Sequence, residues 1–239
     1  MLANMGYVAT PLKRALAACL MLVLAGLAAR ADDLADFNRA VEAAMSHHRA
    51  AAGYLRTENI DLAALEIEGL REAWAKVSTL PRPVAFRDEE RYTAAMLDIA
   101  ARLIGATLVL NLGRTDVARE SLDAIRKSLS DLRRRNGVTV LADCVLDANV
   151  SMDALFAHDR NPDWDSVAAG IESYHATLQR CDGMAGRIRD QAEFRRLIDG
   201  ARASLAQVPK AVETRDRDLL HRLLIELRSF DHLLAFRYG

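Results

Sequence analysis

Residues 41–74 read VEAAMSHHRAAAGYLRTENIDLAALEIEGLREAW. Apolar residues recur at three- and four-residue steps up to Leu55, the spacing that keeps one helical face toward a partner. A short polar run, Thr57 to Asp61, follows, and then a second stretch of the same period. The pattern predicts a helical hairpin, with Asp61 as N-cap of its second helix because its carboxylate can accept from the orphan N–H groups there.

Outward from this hairpin the same grammar continues. The first helix is expected from about Asp33, with Leu34, Phe37, Val41, Met45, His48, Ala52 and Leu55 inward. The second places Leu62, Leu65, Leu70, Trp74 and Val77 inward and ends before Pro81 and Pro83, which lack the N–H a helix needs. A third is expected from near Asp88 to Gly113, and a fourth from Thr115 or Asp116 to the Asn136-Gly137 stop. Arg133-Arg134-Arg135 fall in its last turn, where cations suit the helix dipole, and read as a cap and solvated surface. Four more stripes follow, the seventh kinked or ended at Pro209 and the eighth carrying Leu220, Leu223, Leu227, Phe230 and Leu234 inward. The fold class is all-α, with eight helices.

Sliding the chain by 102 positions sets Asp61 on Asp163, Tyr92 on Phe194, Leu103 on Leu205 and Asp116 on Asp218. Similar residues in similar roles mark an internal repeat. The expected architecture is two tandem antiparallel four-helix bundles, 32–136 and 137–239. The alternative is an open α-solenoid of four hairpins, since A-G-Y-L-R-T-E-N-x-D-x-A resembles the middle of a tetratricopeptide repeat. The period near 50 differs from the ~34 residues of that repeat, and the long stripes suit bundle packing better.

Residues 1–31 read as a cleaved signal peptide. Lys13 and Arg14 precede the apolar run Ala15 to Ala28, and Ala29-Arg30-Ala31 offers small residues for a cut after Ala31. The expected location is periplasmic or secreted, with no stable membrane anchor after cleavage. The cut removes three cations and no acid, moving the net charge from −1 to −4, which disfavours nucleic acid as a partner. Of three cysteines, Cys144 and Cys181 remain. They lie 17 residues before and 20 after Asn161, at matching heights of one hairpin, so a disulfide between them is expected.

No Gly-rich phosphate loop, G-x-S-x-G, H-E-x-x-H or Glu-x-x-His pair occurs, so no enzyme and no metal site is read from motifs. The histidines are the remaining candidates. His48 shares a face with Met45, three residues earlier, and such a pair facing a core suits haem ligation or simple packing.

The last helix, Arg228-Ser229-Phe230-Asp231-His232 through Phe236-Arg237, is similar to the C-x-x-C-H-x-x-aromatic-Arg ending of cytochrome c′. Each half resembles the exported four-helix bundles of the cytochrome c′ and cytochrome b562 class. The resemblance implies a haem pocket with a His from the last helix and a Met from the first. Here those are His232 and Met152 in the second half. Arg228 and Asp231 stand where the cysteines belong, so covalent haem attachment is excluded and any haem would be held non-covalently. The expected function is binding or scaffolding of a protein or small-molecule partner. The alternatives are a non-covalent haem-binding electron carrier and a solenoid-type interaction adaptor.

Overall fold

The computed structural model describes the backbone of residues 9–239 and the side chains from residue 33 onward. The expected leader and its cut after Ala31 lie outside the residues whose side chains are described. The described chain is helical throughout: α1 (Ala9–Arg56), α2 (Ile60–Ser78), α3 (Glu89–Asn111), α4 (Thr115–Arg135), α5 (Leu141–Phe156), α6 (Trp164–Met184), α7 (Ala192–Leu205), α8 (Val208–Thr214) and α9 (Arg217–Tyr238). A 3-10 turn, Gly186–Asp190, joins α6 to α7. The eight expected helices are all present, and α8 is an addition.

The starts of α4 and α9, Thr115 and Arg217, lie 102 residues apart, as the repeat requires. The halves differ at one place. Where α3 runs unbroken, its counterpart is split into α7 and α8, because Pro209 cannot donate to Leu205 and its ring crowds that carbonyl. The chain tightens at Gln207, whose N–H reaches back to Ser204, and restarts at Val208.

The chain forms two compact units, Met1–His48 with Ala64–Leu132, and Arg49–Ala63 with Arg133–Gly239. The passage from Leu132 to Arg133 lies beside the expected division at 136/137, and residues 49–63, the tip of the first hairpin, group with the second unit.

In the first unit the imidazole of His48 donates from Nε2 to the Leu122 carbonyl at 2.8 Å, joining α1 to α4. His47 Nδ1 meets Glu66 of α2 at 2.7 Å. Asp88 caps α3 by accepting from the Arg91 N–H at 3.0 Å. The loop after α2 drops Phe86 onto Phe37 and Tyr92, with ring centroids 5.3 and 5.7 Å away. Two expectations for α2 are corrected. Its buried stripe is Ala63, Ile67, Leu70, Trp74 and Val77, while Leu65 is 66% exposed and Leu62 is also exposed. The 4-3-4-3 spacing from Ala63 leaves no place for either leucine. Asp61 lies inside the first turn of α2, not at its cap, because the helix already begins at Ile60.

In the second unit α5 packs on α6 and α9, and α7 packs on α6 and α9, which closes a ring of four helices. The disulfide Cys144–Cys181 joins α5 to α6 with Cα atoms 5.4 Å apart, as the hairpin spacing requires. Arg133 corrects the reading of the basic triplet as solvated surface. It is 5% exposed and paired with Asp143 at 3.3 Å, while Arg134 bonds Asp147. Buried guanidinium needs such a partner, since removing one member strands a charge in the core. Asp182, at the end of α6, gathers Arg189, Arg195 and Arg202 at 3.1, 2.9 and 2.9 Å, and so fastens the 3-10 turn and α7 to α6.

Candidate functional site

The site lies in the second unit, between the end of α1 and α9. It begins with the way α9 distributes its residues. Leu220, Leu223, Leu224, Leu227, Asp231 and Leu234 face the core. The stripe runs through Asp231, not through the expected Phe230, because Leu227, Asp231 and Leu234 keep the 4-3 step. Phe230 turns aside and lies over Gly200, where a Cβ would stand 2.5 Å from its Cζ.

A buried carboxylate must be satisfied. Asn149 of α5 donates to Asp231 at 2.7 Å, and the Tyr174 hydroxyl of α6 donates at 3.3 Å. Burial, with the neighbouring Asp231 charge and hydrogen bond, pushes the Tyr174 hydroxyl well above its usual pKa, so it remains a donor. This triad ties three helices of the ring together. It also fixes the rotation of α9 and so determines where the next residue, His232, points.

His232 lines an open groove of about 510 Å³ together with Leu233 and Phe236 of α9 and with Ala50, Gly53, Tyr54, Arg56 and Thr57 from the end of α1. Two features bring these helices close. Gly53 has no side chain where Phe236 approaches, and a Cβ there would already be 3.3 Å from the ring. Arg49 donates to the Gly239 carbonyl at 2.8 Å, tying α1 to the last residue of the chain. The groove is therefore apolar along its body, with one imidazole and one guanidinium. Its volume suits a small ligand or a short chain segment.

Burial lowers the His232 pKa below its ordinary value. The charges of Arg228 and Arg56 act in the same direction, against a smaller opposing effect of Asp153. The shift favours the neutral imidazole, which can donate from one nitrogen and accept at the other. Thr57 uses its hydroxyl on the Gly53 and Tyr54 carbonyls. The arrangement can hold an apolar body and offer it one neutral hydrogen-bonding group beside one cation.

The residues read as haem ligands do not converge. Met152 is fully buried in the core of the second unit and does not line the groove. The groove holds His232 without Met152, so the His232–Met152 pair is not brought together as a haem ligand set. His48 and Met45 are both buried in the first unit, and the His48 Nε2–H is engaged by Leu122. Among the described residues no three His, Cys, Asp or Glu side chains are placed to hold a metal ion.

His232, singled out in the sequence, lines the groove, whereas Asp231, Tyr54 and the α1 wall were not singled out there. An acid at the 4-3 position of a leucine stripe was the legible signal for Asp231. Nothing in the sequence paired α1 with α9. The chain matches no protein-family model, no curated protein and no solved structure.

Proposed function

We propose that the protein is exported and works by binding, not by catalysis, with the α1–α9 groove of its second unit as the binding site. One observation carries the reading. Of the eight groove residues only Arg56 carries a charge at neutral pH, while Leu233 and Phe236 present exposed apolar surface into the groove. A ligand with an apolar body and a polar or anionic end satisfies the imidazole and guanidinium together. Export is supported by the Lys13-Arg14 start, the apolar run and the Ala29-Arg30-Ala31 sequence, and by a disulfide of the kind that persists in oxidising compartments.

The test has two arms. N-terminal sequencing of the protein recovered from a secreting host should give Asp32 as first residue, and an intact leader refutes the export arm. An anionic naphthalene fluorophore should bind at one site, and Phe236→Asp should abolish binding while leaving the helical circular dichroism unchanged. Binding that survives Phe236→Asp places the site elsewhere. A second reading, non-covalent haem, is favoured by the neutral His232 on an apolar wall. It requires a Soret band on haem addition that His232→Ala removes.

A further inference from the structure

α3 carries two apolar faces. One is the core stripe of Tyr92, Ile99, Leu103, Ala106 and Leu110, all buried in the first unit. The other is exposed. Glu90, Ala94, Leu97, Ala101, Ile104, Leu108 and Asn111 are all exposed, at steps of 4-3-4-3-4-3. Leu97, Ile104 and Leu108 are 66, 57 and 58% exposed. That spacing is the a/d seam of a coiled coil, sustained over three heptads with polar residues only at its two ends. Helices apolar all round are normally buried all round. By length and composition α3 is the one described helix apolar enough to cross a membrane, yet its core stripe is buried in a folded unit, with Tyr92 against Phe37 of α1 and against Phe86, and Asp98 beside the stripe accepts from Ser128 of α4.

We propose that this seam pairs with the same seam of a second copy of the chain, the two α3 helices running antiparallel about a two-fold axis. Three properties of the seam select this occupant. Small and large residues alternate over the centre of the seam: Ala94 and Ala101, followed by Leu108, form one column and Leu97 and Ile104 the other. In an antiparallel pair each layer joins the two columns, so Leu97 lies over the partner's Ala101, and Ile104 over the partner's Ala94. Large on small fills every central layer evenly, whereas parallel pairing would stack Ala on Ala and leave gaps. A two-fold contact needs a self-complementary surface, and this seam is one. The charges agree. In this register Glu90 lies over the partner's Leu108 at each end of the seam, and the acidic start Asp88-Glu89-Glu90 runs toward Arg114 of the partner subunit, one turn beyond, whereas parallel pairing sets Glu90 against itself. The Ala columns also let the backbones approach closely without moving any core residue of the unit.

Sedimentation velocity of the whole protein over a concentration series should show a monomer–dimer equilibrium. Leu97→Glu and Ile104→Glu should each weaken dimerisation by about tenfold or more. Both positions are exposed in the monomer, so the helical circular dichroism and thermal midpoint of the dissociated protein should not change. Direction is read separately. In a Cys19→Ser background, mixed Leu97→Cys and Ala101→Cys variants should oxidise to the heterodimer, and each variant alone should cross-link poorly. A monomer at every concentration overturns the proposal. So does a dimer indifferent to both glutamates, cross-linking of Leu97→Cys to itself, or a monomer that binds phosphatidylglycerol vesicles through this face.

Discussion

The Cys144–Cys181 disulfide closes a loop of 37 residues in the second unit. In the chain-entropy picture a cross-link of that span removes about 13 cal/mol/K from the unfolded ensemble, or about 3.8 kcal/mol at room temperature. Cys144→Ser with Cys181→Ser should therefore destabilise the second unit by about 3–4 kcal/mol, less whatever strain the bond holds in the folded state. The sequence provides a way to confine the measurement to that unit. It contains two tryptophans, Trp74 in the first unit and Trp164 in the second. In a Trp74→Phe background the fluorescence reports Trp164 alone, and in a Trp164→Phe background it reports Trp74 alone. Urea unfolding followed by Trp164 should shift by the full amount. The Trp74 signal should shift only to the extent that the units unfold together. A change below about 1 kcal/mol at Trp164, with the Cys144–Cys181 bond verified as oxidised in the parent protein, would refute the argument. It would mean that the reduced, unfolded hairpin already keeps its ends together, as a residual α5–α6 contact could.

Other consequences follow from the same geometry. The Asp182 carboxyl is raised by burial, but the hydrogen bond from Arg202 and the charges of Arg202, Arg189 and Arg195 outweigh this and hold it below the usual carboxylate range. A depressed folded pKa stabilises above the unfolded value and is lost as pH falls through the folded one. Asp182→Asn should thus cost about 1–2 kcal/mol at neutral pH, after discounting the partly exposed guanidiniums, and the gap to wild type should narrow in urea titrations below about pH 4. Gly200→Ala puts a methyl where the Phe230 ring lies and should cost about 1–3 kcal/mol, and Phe230→Leu in the same chain should recover part of it. In proton NMR, the His232 ring should titrate below an ordinary imidazole. Arg228→Gln should move its midpoint upward, and no movement would remove the Arg228 charge as a cause.

Much of the architecture was legible because periodicity is a local property. Each helix stripe, the proline stop after α2 and the cysteine pairing depend on spacing along one hairpin. The choice of partner face was less legible. In α2, leucine content pointed to Leu62 and Leu65, but the packed stripe runs through the smaller Ala63 and through Ile67. In α9 a charged residue took the central core position and the aromatic one beside it packs at the core's edge, since Asn149 and Tyr174 supply what Asp231 needs. Those donors come from α5 and α6, distant in sequence. The groove was invisible for the same reason. Its two walls are about 180 residues apart, and they meet only because Gly53 admits Phe236 and Arg49 reaches Gly239.

The tip of the first hairpin, Arg49–Ala63, belongs to the second compact unit, so the repeat in the sequence and the body in space are out of phase. Dividing the gene at the repeat boundary would yield a C-terminal fragment with the five helices α5 to α9 and a disulfide but only one side of its groove. The missing side is a contiguous fifteen-residue peptide. Added in trans, that peptide becomes a ligand for the fragment, and its dissociation constant would directly measure how strongly the second unit holds the α1 wall of the groove in place.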